Sequence, residues 1–267
     1  MKDWGQMLRA YIETFKKYQH LLANLITRDL KIKYRRSVLG LLWSLLNPVL
    51  MMLILSAVFS KFMHFTQEFY PVYLIAGQTL FTFFSEASNS ALESIVSSSA
   101  LLKKVYVPKY IFPLEKIIYA FVNLLFSLTA VIVILIIYGV PFSPTMFLVP
   151  IPLISMLIFT LGFGLLLSAT YAFFRDVKHL YSVVLLAWMY LTPIIYPLNE
   201  LDDLGFIGAI VRINPLTSYV TYFRNVLIYG ISPSLAINLI CFGWAFFVLT
   251  LGLVVFKKTQ DQFILHI

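Results

Sequence analysis

Charge and cysteine are what this sequence has least of. Only 12% of its 267 residues are charged, while 60% are hydrophobic; an ordinary soluble domain carries roughly 25% charged residues. A soluble reading at this length would bury far more apolar surface than one core can hold, so the bilayer is the simpler solvent. The lone cysteine, Cys241, lies in a long apolar run. It can form no intrachain disulfide and no cysteine metal site, and reads as a small buried apolar residue. None of the eleven glycines opens a GxxxxGK[ST] loop, which excludes ATP hydrolysis in that mode. There is no GxSxG motif, and His20, His64, His179 and His266 are scattered without ligand spacing, so neither a serine-hydrolase nor a zinc site is written in the chain. The first apolar stretch long enough for a signal sequence begins only after residue 37, behind a basic segment; no cleaved signal is expected.

What is present is apolar runs of bilayer length. A spanning helix needs about 20 mostly apolar residues. Residues 37–60 are free of Asp, Glu, Lys and Arg and make span one; residues 69–85, continuing past Glu86 and Glu93 to Ser97, make span two. The next 58 residues, 117–174, carry no charge. That is too long for one helix, and Gly139, Pro141, Pro144, Pro150 and Pro152 break it into a hairpin of two spans, 114–139 and 146–173. Residues 180–199 give span five. Residues 225–256 give span six, starting near Ser232 and Pro233. The segment 198–231 between them is moderately apolar and predicts short helices that dip back into the membrane, where protein or a cavity must shield the backbone. The expected fold is an all-α membrane protein of six transmembrane helices, with residues 38–256 as the membrane domain and 257–267 as a tail.

The basic residues orient the spans. Nine Lys and Arg precede span one, four lie between spans two and three, two between four and five, and two (Lys257 and Lys258) follow span six. That places 17 of the 20 on one side; Lys61, Arg212 and Arg224 are on the other. The positive-inside rule then makes both termini cytoplasmic. The same asymmetry accounts for the net charge of +8, so no nucleic-acid partner is needed. Residues 5–36 are not a span. Leu8, Tyr11, Ile12, Phe15, Leu22, Leu25 and Ile26 recur at three- and four-residue steps among Lys and Arg. Residues 1–37 therefore read as a cytoplasmic amphipathic interfacial helix, or as a basic anchor alone.

Polar chemistry concentrates in span two. Thr79, Thr82, Glu86, Asn89, Glu93 and Ser97 fall on one helical face. Carboxylates within a span are costly and usually face a bundle interior or a wet cavity. The stripe is either a conduit wall or, for Glu93 and in part for Glu86, the helix end emerging at the cytoplasmic interface. Aromatic residues are abundant, and Trp43, Phe84, Trp188, Tyr190 and Tyr196 could stack on sugar rings or sit in interfacial belts. The cytoplasmic loop 97–113, bracketed by Pro108 and Pro113, mixes apolar and basic residues, which fits a short helix offered to another protein or a plain connection.

The run from Arg28-Asp29-Leu30-Lys31-Ile32-Lys33-Tyr34-Arg35-Arg36-Ser37-Val38-Leu39-Gly40 to Trp43, followed by Asn47-Pro48, resembles the start of span one in type 2 ABC exporter permeases of the polysaccharide and teichoic acid branch. Leu101-Leu102-Lys103-Lys104-Val105-Tyr106-Val107-Pro108 is similar to that branch's first coupling segment. Phe174-Arg175-Asp176-Val177 resembles its motif after span four, and Asn214-Pro215-Leu216 its motif in the outer re-entrant region. The resemblance covers nearly the whole chain, in order. It implies a pair of permease chains, two separate ABC ATPase subunits carrying ATP and Mg2+, no cofactor in this chain, and a lipid-pyrophosphate-linked glycopolymer as substrate. It implies a coupling helix between spans two and three. The ATPase contacts would be Leu101, Leu102, Lys103, Lys104, Tyr106, Val107 and Pro108, with Arg175 and Asp176. Arg28, Lys31, Lys33, Arg35, Arg36 and Trp43 would form a gate at the cytoplasmic entrance, and Phe84, Glu86, Asn89, Tyr190 and Tyr196 are conduit candidates. Such a chain would be a multi-pass protein of the bacterial plasma membrane, surrounded by its lipids, and no enzyme by itself. The likeness is nearest to the teichoic-acid members. O-antigen or capsule export is the alternative, as is a membrane enzyme acting on lipid-linked sugars, for which Glu200, Asp202 and Asp203 form the one acidic cluster.

Overall fold

The structure is a computed structural model that describes residues 4–34, 40–62, 69–105, 107–198 and 205–266, with side chains for 16–33, 40, 42–59, 69–105, 107–198 and 205–266. Every regular element among them is helical. Two units are described separately, residues 1–40 and 41–267.

In the first unit, residues 4–34 form a single helix, α1 (Trp4–Tyr34). Leu22 and Leu25 are buried, whereas Lys16, Lys17, His20, Arg28, Lys31 and Lys33 are exposed. This is the two-faced pattern that the three- and four-residue spacing predicts.

The second unit holds the apolar helices: α2 (Trp43–Phe62), α3 (Tyr70–Ser97), the short α4 (Ser99–Leu102), α5 (Ile111–Ile137), α6 (Pro150–Phe173), α7 (Val177–Tyr190), α8 (Gly205–Ile213), α9 (Pro215–Leu227), α10 (Leu235–Thr259) and α11 (Phe263–His266). Among the described residues, three stretches are by length and composition apolar enough to cross a membrane: Ile111–Ile137, Pro144–Phe173 and Leu235–His266. Span three and span four are thus where the uncharged run predicts them. Their hairpin turns at Gly139, whose φ of +70° suits a residue without a Cβ. The Gly139 amide donates to the Ile136 carbonyl at 3.1 Å and the Val140 amide to the Leu135 carbonyl at 3.0 Å, the paired bonds of a Schellman cap. Proline begins α6 and α9, and Pro71 stands in the first turn of α3, where its missing N–H costs nothing.

α3 is the hub. It packs on α2, α5, α6, α7 and α9 and is buried along most of its length. Against this hub α6 and α10 run in close contact, because Gly162 meets Gly252. A Cβ on Gly252 would collide with the Gly162 carbonyl oxygen, and one on Gly162 with the backbone of Leu249. Small residues let two backbones approach in a membrane, where packing rather than the hydrophobic effect holds helices together.

Span five departs from its predicted length. Its helix stops at Tyr190 after 14 residues, about 21 Å at 1.5 Å per residue against a hydrocarbon core of roughly 30 Å. Pro193 and Pro197 remove amide donors and push the residues before them out of the helical region, so 191–197 runs on without helix. Beyond it come two short helices, α8 and α9, in the segment where short helices are expected. α10 extends through Thr259, past the expected boundary at 256, and is followed by a 3-10 turn, Gln260–Gln262, and α11.

Candidate functional site

Among the described residues, three of the polar places bear on the site. The first is the open face of α3. Thr79 is buried, but Glu86, Asn89 and Ser97 are exposed and Thr82 and Glu93 half-buried, while the other faces of α3 are covered. Among the described residues of the second unit, the stripe from Thr82 to Ser97 is therefore the side of the hub helix left open. A lipid-facing position there would strand a carboxylate in hydrocarbon; a water-filled path or a second polar surface would not. At the basic end of the helix Glu93 takes a hydrogen bond from Lys178 at 2.7 Å, both about half-exposed. Of the other conduit candidates, Tyr190 is exposed and Tyr196 is half-buried, its hydroxyl donating to the Tyr190 carbonyl at 2.7 Å. Phe84 is fully buried. It lies 5.1 Å from Trp188 and 5.5 Å from Phe163 between ring centroids, within the aromatic core that joins α3, α6 and α7.

The second place is the basic end. Leu102 and Val107 turn inward and are buried, Leu101 and Pro108 are half-buried, and Lys103, Lys104, Val105, Arg175 and Asp176 are exposed. Tyr106 lies outside the described residues, as do Arg35, Arg36 and the acidic cluster of Glu200, Asp202 and Asp203. Among the described residues of the 98–112 loop, the exposed ones are thus Ala100, Lys103, Lys104 and Val105, cationic and apolar side by side. Of the gate residues, Arg28 pairs with its neighbour Asp29 at 2.8 Å, Lys31 and Lys33 are exposed, and Trp43 stands in the second unit, also exposed.

The third place, at the opposite end, was hidden from sequence reasoning. The non-helical 193–196 segment leaves four consecutive carbonyls without helical partners, and three side chains take them. Arg224, 3% exposed, donates from Nη1 to the Pro193 carbonyl at 2.5 Å and from Nη2 to Ile194 at 2.9 Å, and Nε and Nη2 reach the Tyr73 carbonyl at 3.1 and 2.9 Å. The Tyr73 hydroxyl donates to Tyr196 at 2.9 Å and Pro193 at 3.3 Å, and that of Tyr70 to Ile195 at 3.0 Å. Non-helical backbone at membrane depth needs such internal partners. One turn of chain away, the side chain of Asn214 joins the end of α7 to the start of α9. Its Oδ1 accepts from Trp188 Nε1 at 2.7 Å and from the Leu216 amide at 3.0 Å, and its Nδ2 donates to the Leu191 carbonyl and Thr192 Oγ1, both at 3.0 Å. The available signal was Arg224 itself, an arginine in an apolar segment, which is rarely there without a specific partner.

With this geometry in place, the comparisons with known proteins are specific. The O-antigen export system permease protein RfbA of Myxococcus xanthus is 30% identical over 220 residues, 82% of this chain and 84% of that protein. The protein of the same name from Klebsiella pneumoniae is 28% identical over 244 residues, 91% and 93% of the two chains. The polysialic acid transport protein KpsM of Escherichia coli is 25% identical over 245 residues, 89% and 92% of the two chains. The sequence profile of ABC-2 type transporters matches residues 20–228. The chain is a multi-pass protein of the bacterial plasma membrane and belongs to the ABC-2 type transporter family.

Proposed function

We propose that this chain is the permease subunit of an ATP-driven exporter that carries a lipid-linked cell-surface glycopolymer from the cytoplasm to the outer face of the membrane. The observation that carries the reading is the uncovered polar face of α3, with Glu86 and Asn89 exposed on an otherwise buried helix. A hydroxylated polymer needs a wall of that kind, and lipid does not. Two copies with these faces turned to each other would enclose a path lined by polar groups. The six spans are α2, α3, α5, α6, α7 prolonged by 191–198, and α10, with both termini cytoplasmic and α8–α9 re-entrant from outside.

Having no phosphate-binding loop, the chain draws its energy from two ABC ATPase subunits that hold ATP and Mg2+. The exposed Lys103, Lys104, Arg175 and Asp176 are the contacts offered to them. The complex acts as a translocase; the permease is no enzyme by itself. The basic helix α1 forms the cytoplasmic gate and draws the anionic pyrophosphate head of the carrier lipid.

The relatives are named for O-antigen export and polysialic acid transport, which favours an O-antigen or capsular polysaccharide. The run from Lys33 to Gly40, with Asn47-Pro48, favours wall teichoic acid as the second reading. The test is reconstitution of the permease with its ATPase in proteoliposomes, supplied in turn with lipid-linked O-antigen, capsular and teichoic acid precursors. ATP-dependent transfer of one polymer supports the reading and chooses the cargo. An ATPase subunit that never associates, or hydrolysis and transfer that no precursor stimulates, overturns it.

A further inference from the structure

The segment after α10 makes contacts that neither the family assignment nor the proposed export function calls for. Phe263 is fully buried. Its ring packs edge-on against Phe256 of α10 at 5.2 Å and Phe173 at the end of α6 at 5.8 Å. From this anchor the segment reaches both basic-end loops. Lys109, next to Pro108 in the loop before α5, donates from Nζ to the Gln260 carbonyl and stands 5.9 Å from the Phe263 ring centroid. Arg175, between α6 and α7, donates from Nη2 to the His266 carbonyl at 3.0 Å, and the His266 ring lies 4.8 Å from that of Phe173.

We propose that residues 260–266 form a clasp that ties the 98–112 loop and the 174–177 loop into one moving body, with Lys109 and Phe263 as the positioning pair. The inference rests on the exporter reading only in assigning those loops to the ATPase. The contacts stand without it. The clasp is fixed to a stiff base, since α10 and α6 are already locked at Gly162 and Gly252. The 98–112 loop is held only at its edges, where Leu102, Val107, Ile111 and Phe112 are buried; between them α4 is one turn long, and Lys103, Lys104 and Val105 are exposed. A push delivered to that loop by a partner would be absorbed locally unless something stiff holds it. The bond from Lys109 to a carbonyl of the clasp supplies that link, and bonds to a charged donor are the stronger kind.

Two measurements test this. The first is hydrogen–deuterium exchange on the chain in nanodiscs. Phe263→Ala and Lys109→Met are expected to raise exchange in residues 101–112 and 174–178 together, leaving the 138–146 turn at the far end unchanged. Lys109→Arg and Phe263→Leu are expected to restore protection in part. Unchanged exchange in the two loops overturns the clasp whatever the chain transports. The second uses the complex with its ATPase. The Ala and Met variants are expected to retain the ATPase subunit and its hydrolysis but to export roughly five-fold less polymer per ATP, the lower end of ordinary coupling between sites. An unchanged ratio in a working complex, or loss of the ATPase subunit without rescue by the conservative variants, assigns the segment a purely structural role. A wild-type complex that hydrolyses no ATP indicts the exporter reading and leaves the exchange result to stand by itself.

Discussion

The guanidinium carbon of Arg224 lies 3.3 Å from the centroid of the Tyr73 ring, so the planar cation stacks on the aromatic face while its edges reach three carbonyls. A planar fork can satisfy both demands, and an ammonium cannot. Arg224→Lys keeps the charge but loses the stack and most of the bonds. It is expected to lower stability by on the order of 2–3 kcal/mol, from charge-assisted bonds of about 1.5–3 kcal/mol each. Tyr73→Phe keeps the ring and loses two hydroxyl bonds, one of them long, for about 1 kcal/mol. Gly77→Val should match the Arg224 variant, because a Cβ at Gly77 would strike Arg224 Nη2. Thermal unfolding in detergent, followed by size-exclusion fluorescence, ranks the three; a lysine variant as stable as the parent would refute the clamp.

Asn214 has two separable duties, capping α9 and gripping the end of α7. Ser at that position still caps a helix but is too short to span to Trp188 Nε1 and the Leu191 carbonyl. Asn214→Ala is therefore expected to cost more than Asn214→Ser, with a gap of about 1 kcal/mol, the ordinary worth of an N-cap. Equal losses would mean that the cap contributes nothing here.

The Gly162–Gly252 crossing makes a prediction about additivity. Gly162→Ala or Gly252→Ala alone forces the helices apart and should cost about 1–3 kcal/mol, the range for overpacked sites. Because both added methyl groups push the same α6–α10 crossing apart, the double variant should cost clearly less than the sum, as neighbouring sites do. Additive losses would show that the two clashes are relieved independently along the crossing.

The long apolar runs were legible because period and charge alone decide them: α5 and α6 begin and end within a few residues of where Lys116, the proline cluster and Arg175 place them. The polar stripe of α3 was legible for the same reason, since helical spacing puts Glu86, Asn89 and Glu93 on one face. Span five was misjudged because hydropathy counts Leu191, Ile194 and Ile195 as helix while Pro193 and Pro197 forbid it. The clamp on 193–196 stayed hidden because it is a tertiary answer to that break: Arg224 stands 151 positions from Tyr73 and 30 from Ile194, and Tyr70 stands 125 from Ile195, so no local pattern links them. Phe84 was drawn as a conduit residue on its aromatic character; which side of a helix faces the core depends on neighbours that spacing does not name.

The sharpest prediction concerns Glu86 and Asn89. Both are exposed, so substitutions there should change stability by no more than about 0.5 kcal/mol. Glu86→Trp and Asn89→Trp are nevertheless expected to reduce export strongly, by narrowing the path between two α3 faces, whereas Glu86→Gln removes only the charge and should reduce it less. Ile132→Trp is the control. Ile132 is 53% exposed on the apolar face of α5, where a lipid-facing indole changes nothing in the path, and export should stay at the parental level. Surface polymer on cells, normalised to permease in the membrane, gives the readout. Equal effects at Glu86 and Ile132 would mean that the polar face of α3 is not the conduit. Loss confined to Glu86 and Asn89 would place the polymer along it.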